Sequence, residues 1–164
     1  MSIHVKGAVL PDGSNRDLFI DNGTFVEALE KTPTTVIDAS GLLALPGLVD
    51  LHTHLREPGF EQSETVLTGS RAAAAGGYTA VFAMANTMPV QDTAGVVEQV
   101  QSLGERHGYV TVRPIGAVTA GLAGERLAEI GAMAQSRAQV RVFSDDGHCV
   151  HDALLMRRAL EYVK

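Results

Sequence analysis

Residues 46–59 read PGLVDLHTHLREPG, an apolar strand entered through Pro46-Gly47 and left through a polar turn that contains a proline. Alternate residues of a strand point to opposite faces, so Asp50, His52 and His54 share one side while Leu51, Thr53 and Leu55 share the other. Toward the C-terminus the same rhythm repeats. Residues 62–75 read as a helix stopped by Gly76-Gly77, and residues 78–85 (YTAVFAMA) as a second strand, apolar enough to have both faces covered as in a parallel sheet. The next helix starts at Asp92-Thr93, a good N-cap pair, and places Val96, Val97, Val100 and Leu103 on one face before Gly104. A third strand is expected over 110–119, a third helix over 124–135 and a fourth strand over 140–145. A fourth helix is expected from about Asp152, with Leu155, Ala159, Leu160 and Val163 sharing a face. Strands alternating with helices predict parallel βαβ units with right-handed crossovers, so the fold class is α/β with four βα units.

The first 45 residues read differently. Residues 3–10, 18–21, 24–29 and 34–38 are short runs rich in Val, Ile, Phe and Thr, separated by Pro11-Asp12-Gly13 and Asn22-Gly23. Asn-Gly between apolar runs is a hairpin signal, because both residues tolerate the positive φ of a type I′ turn. Two modules follow: a small β module over 1–45 and an α/β module over 46–164.

Composition narrows the chemistry. The chain has 164 residues, 45% of them hydrophobic and 20% charged, enough apolar material for a buried core and about the length of one ordinary domain. Thirteen basic against nineteen acidic residues leave a net charge of −6, without the positive field of a nucleic-acid or anionic-membrane binder. A small-molecule partner is favoured. A single cysteine, Cys149, excludes an intrachain disulfide, and no stretch approaches the roughly 20 apolar residues of a membrane span. No basic region followed by an apolar one opens the chain, so a cytoplasmic setting is expected. A closed (β/α)8 barrel takes about 250 residues, so a barrel pattern here amounts to part of one.

Two imidazoles two residues apart on a rigid strand can ligate one metal ion, and in (β/α) architectures functional groups gather at the C-terminal ends of the strands. The fourth strand ends Ser144-Asp145-Asp146-Gly147, two acids where an apolar strand meets a glycine turn. A turn or cap accounts for one such Asp more comfortably than for two, and a carboxylate can bridge two cations. The second strand ends in Asn86, which offers a donor and an acceptor at the same rim.

Taken together, these runs resemble the amidohydrolase superfamily, and within it the longer bacterial dihydroorotases. Residues 46–59 look like the family's first barrel strand and following loop. Glu64-Thr65 with Thr68-Gly69, Gly76-Gly77-Tyr78-Thr79, Asn86-Thr87 with Pro89-Val90 and Asp92, and Asp145-Asp146-Gly147 fall in family order at family-like spacing. The resemblance implies a partial (β/α)8 TIM barrel, its first four βα units, preceded by the amino-terminal part of an accessory β-sandwich. It implies Zn2+, two ions per complete active site, with His52 and His54 on the more buried ion and Asp146 bridging the pair. Arg56 and Asn86 would bind the substrate carboxylate, an assignment that suits a guanidinium fork and an amide donor. Many relatives bridge their metals with a carboxylated lysine; here the only lysines are Lys6, Lys31 and Lys164. Ala85 departs from the proline that many members place before the Asn.

The reaction so implied is reversible interconversion of N-carbamoyl-L-aspartate and L-dihydroorotate in pyrimidine synthesis. The family's later strands carry two further histidines and an aspartate that shuttles the proton, so no catalytic residue is expected before Lys164. By itself the chain is expected to be truncated and inactive, or nearly so. A homodimer or association with aspartate transcarbamoylase is compatible with the resemblance. Two other readings stand beside it: another cyclic amidase such as a hydantoinase or allantoinase, against which Arg56 argues because a neutral ring needs no such fork, and a non-catalytic scaffold for aspartate transcarbamoylase, which would be expected to lose ligands. His4 falls in the β module and His107 at a helix end, where an imidazole suits the dipole. His148 and His151 read as rim or surface residues and Cys149 as a small buried side chain.

Overall fold

The computed structural model describes residues 1–163, which separate into two compact units, residues 1–46 and 47–163. The first unit is one mixed sheet of four strands, β1 (Ser2–Val9), β2 (Asn15–Asp21), β3 (Thr24–Val26) and β4 (Thr35–Asp38), in the order β3-β2-β1-β4. Asn22 (φ 49°) and Gly23 (φ 80°) both lie in the left-handed region, and Asp21 pairs with Thr24, so the two-residue hairpin forms as the Asn-Gly signal predicts. β1 is antiparallel to β2 and parallel to β4. Its pairing with β2 slips between Val5 and Ala8, where Gly7 takes φ 65° and donates its N–H to Asp17. The unit is a single sheet, with Phe25, Val36, Ile37, Leu42 and Leu43 exposed.

The second unit is built on a parallel sheet of three strands, β5 (Leu48–Thr53), β6 (Tyr78–Ala83) and β7 (Thr111–Pro114), in sequential order. α1 (Val66–Ala75) and α2 (Ala94–His107) make the crossovers. α1 begins at Thr65, whose hydroxyl accepts from the Thr68 N–H while the Thr68 hydroxyl accepts from the Thr65 N–H, a capping box that starts the helix four residues later than expected. Leu55, Val66, Val81, Ala83, Val100 and Val112 form the core between sheet and helices. Burying each of the larger aliphatic side chains contributes about 1.5–3 kcal/mol relative to leaving it in water. β5 is an edge strand, with Leu48, Val49 and Leu51 about half exposed or more.

Other expected elements differ as well, the third strand covering Thr111–Pro114 rather than 110–119. Residues 140–145 form no strand; their pairing reduces to one parallel bridge between Gly116 and Phe143, flanked by Gly116 N–H to Val142 O and Ser144 N–H to Gly116 O. The chain before them turns back on α3 (Ile130–Gln135), with Gln139 at φ 47° and the Val140 N–H on Met133, so the run does not pair along β7. α3 is half its expected length because 119–128 folds into a bridged loop. Thr119 pairs with Leu127, and Gly121, Leu122 and Gly124 take positive φ that a helix cannot accept. α4 (Ala153–Tyr162) starts where expected, capped by the Asp152 carboxylate on the Leu154 and Leu155 amides. Of its expected apolar face Ala159 is buried, whereas Leu160 and Val163 are exposed.

Candidate metal centre

The ends of β5 and β6 are fastened to each other before any functional side chain is placed. Thr53 Oγ1 donates to the Phe82 carbonyl at 2.7 Å, and the Met84 N–H donates to the Thr53 carbonyl at 2.8 Å. The loops that follow are joined as well. The Met88 N–H donates to Pro58 O, and a side chain at Gly59 (φ 101°) would stand 2.2 Å from the Met88 carbonyl oxygen. Only glycine allows that approach. Glu57 in the first loop caps the α1 N-terminus by accepting the Val66 N–H at 2.8 Å, and Leu55 is buried in the core.

On this frame His52, His54 and Asp146 converge, each with a ligating atom within 4.8 Å of the others. His52 Nε2 is 3.3 Å from Asp146 Oδ1 and His54 Nε2 is 3.5 Å from Oδ2. The two rings meet edge to face at 5.3 Å between centroids. Asp50, on the same strand face, stays outside the cluster and accepts the His52 backbone N–H at 3.0 Å. Asn86, just past β6, reaches both partners: its Oδ1 is 3.1 Å from His54 Nδ1 and its Nδ2 donates to Asp146 Oδ2 at 3.1 Å.

The adjacent acids have separate tasks. Asp145 is buried and accepts from the Val118 N–H (2.8 Å), the Thr119 N–H (3.0 Å) and the Thr119 hydroxyl. It ties residues 144–146 to the chain leaving β7 and leaves Asp146 facing the histidines. The strand-end pattern alone left open which acid had which task, although the family resemblance pointed to Asp146; neither reached Thr119 and Glu57, whose partners lie 26 and 9 residues away. Asn86 was legible as a rim donor and acceptor, but its joint contact with His54 and Asp146 was not.

Arg56 stands two residues after His54 with φ 60°, a left-handed conformation that costs a non-glycine residue on the order of 1 kcal/mol. Among the described residues its guanidinium makes no hydrogen bond or ion pair. His148 and His151 are exposed, and His107 sits exposed in the last turn of α2. Cys149, expected to be buried, is exposed in the loop before α4.

Two imidazoles and a carboxylate are a donor set that zinc and similar divalent ions accept. The residues present fit such an ion, which would replace the long nitrogen-to-oxygen contacts as the group that holds them together.

Residues 41–163 match the family model described as Dihydro-orotase-like. A dihydroorotase of Leifsonia xyli subsp. xyli is 74% identical over 163 residues, which is 98% of this chain and 37% of that protein. One from Mycobacterium tuberculosis is 55% identical over 169 residues, 99% of this chain and 39% of that protein. The chain thus spans about two-fifths of the length of these curated relatives. Among solved structures, an L-hydantoinase (dihydropyrimidinase) from Arthrobacter aurescens superposes with a TM-score of 0.70 at 24% identity, covering 86% of this chain and 32% of that one, a likeness of fold. With a family match over three-quarters of its residues, the chain belongs to the dihydroorotase-like family.

Proposed function

We propose that this chain contributes half of a dihydroorotase active site, in a protein that interconverts N-carbamoyl-L-aspartate and L-dihydroorotate in pyrimidine synthesis. The observation that carries the reading is the convergence of His52, His54 and Asp146 at the strand ends of a parallel α/β unit. In this reading β5, β6, β7 and the run 140–145 are the first four strands of a (β/α)8 barrel, and the four-stranded sheet of the first unit is part of an accessory sandwich. His52, His54 and Asp146 would hold the zinc. The ions, when bound, polarise the ring amide carbonyl and lower the pKa of water.

The chain's own residues bind and orient. Arg56, with its fork uncommitted, pairs with the substrate carboxylate in bidentate fashion. Asn86 has a second amide N–H beyond the one given to Asp146, and that hydrogen is available to the same carboxylate. The proton-shuttling aspartate and two further histidines are expected from later strands.

The test is ring opening of L-dihydroorotate by the full-length protein with zinc, followed beside hydantoin. Dihydroorotate is the expected substrate, and Arg56→Met is expected to raise KM well above tenfold by removing the charged fork. Preference for hydantoin, or an unchanged KM in Arg56→Met, would overturn the assignment.

A further inference from the structure

Asn86 lies between two of the proposed ligands, and chemistry sets the direction of both its hydrogen bonds. An ionised carboxylate only accepts, so the Asn86 NH2 must face Asp146, as it does at 3.1 Å. The amide atom left toward His54 is then the carbonyl oxygen, which also only accepts. His54 Nδ1, 3.1 Å away, must therefore carry the hydrogen. In the neutral ring this leaves the lone pair on Nε2, the atom 3.5 Å from Asp146 Oδ2. Two acceptors face one another across a gap that a cation would fill.

Asn86 is well held for this task. The Thr87 and Gln91 amides both donate to the Ala85 carbonyl, and the side chain of Gln91, fully buried, donates to Met84 O at 2.6 Å. His52 lacks such a partner: among the described residues no side chain bonds its Nδ1, and its side chain is 55% exposed. The asymmetry makes His54 the ligand whose ring is set by the protein.

We infer that Asn86 is a positioning residue of the metal centre, relaying Asp146 to His54 Nδ1 and so holding the His54 ring in the tautomer whose Nε2 can ligate. The inference rests on the reading that His52, His54 and Asp146 hold a metal, and it adds to any contact of Asn86 with substrate. Partners of this kind behind a metal-bound His typically account for about 10–100-fold in metal affinity.

The experiment is zinc affinity by chelator competition on the full-length protein, together with long-range 1H–15N spectra of His54 in the metal-free protein. Wild type is expected to show an Nδ1–H ring. Asn86→Ala is expected to lose that pattern and to bind zinc about 10–100-fold more weakly. Asn86→Asp keeps an oxygen facing Nδ1 and is expected to keep the Nδ1–H pattern, which covers the case where the alanine variant does not fold. An Nε2–H ring in the wild type, or an Asn86→Ala variant with unchanged zinc affinity and only a raised KM, would overturn the inference. If His54→Ala binds zinc as tightly as wild type, the metal reading itself has failed, an outcome that the tautomer spectra report on separately.

Discussion

Asp145 and Asp146 are neighbours with the same chemistry and opposite tasks, and the difference lies in what each oxygen meets. Asp145 satisfies three donors on 118–119, so Asp145→Ala leaves those donors without an acceptor and is expected to cost about 2–4 kcal/mol in urea unfolding. Asp146 is only partly buried and meets the two histidines and Asn86. Asp146→Asn is therefore expected to keep the melting temperature of the metal-free protein near that of wild type while sharply lowering zinc content, measured by elemental analysis. A swap of these two outcomes would reverse the assignment. Sequence reading reached the pair, and reached His52 and His54, because strand alternation dictates which residues share a face. The residue pattern alone could not divide the acids, since adjacent residues at a strand end take their partners from chain that is distant in sequence; the family resemblance pointed to Asp146.

Among the elements, the helices show how packing overrides local preference. Gly95 and Gly104 both lie in α2, where alanine is the better helix former. A side chain at Gly95 meets open space, so Gly95→Ala is expected to stabilise by roughly 0.4–1 kcal/mol. At Gly104 the added carbon would stand 2.7 Å from Val112 Cβ on β7, so Gly104→Ala is expected to destabilise by about 1–3 kcal/mol through overpacking. Thermal unfolding of the two variants checks the opposite signs. In the first sheet, Asp17 is held below the usual carboxylate range by the Gly7 amide and then by His4, and Asp38 likewise by the Ser40 hydroxyl and amide. A lowered folded pKa contributes stability that is complete above the ordinary value of about 3.9 and is lost as pH falls through the folded value. Unfolding of residues 1–46 is thus expected to become more sensitive to acid below about pH 4, and Asp17→Asn to remove part of that dependence. The hairpin and the βαβ rhythm were legible because turn residues and apolar period are local signals. The fourth strand and the long third helix were not, because a back-turn at Gln139 and the bridged loop over 119–128 decide them.

For the molecule as a whole, the candidate metal centre draws on residues 52, 54, 86 and 146, so zinc held there as proposed is expected to stabilise the second unit by mass action. A hundredfold excess over Kd corresponds to about 2.7 kcal/mol, seen as a rise of several degrees in Tm that a chelator reverses. The exposed Leu48, Val49 and Leu51 on the edge of the parallel sheet make the 164-residue chain, purified by itself, prone to associate edge to edge. Sedimentation is expected to show oligomers that Leu51→Lys reduces. No helix among the described residues is long and apolar enough to cross a membrane. By itself the sequence determined the α/β class, the turn positions and the shared strand face of His52 and His54, because backbone alternation and turn conformations depend on near neighbours. Only the tertiary structure decided that Asp145 is committed to residues 118–119 while Asp146, the acid the family resemblance pointed to, meets those histidines, and that Asn86 joins His54 to Asp146. Those contacts join residues up to 94 positions apart, and they exist because paired strand ends and two interlocked loops bring them to one rim.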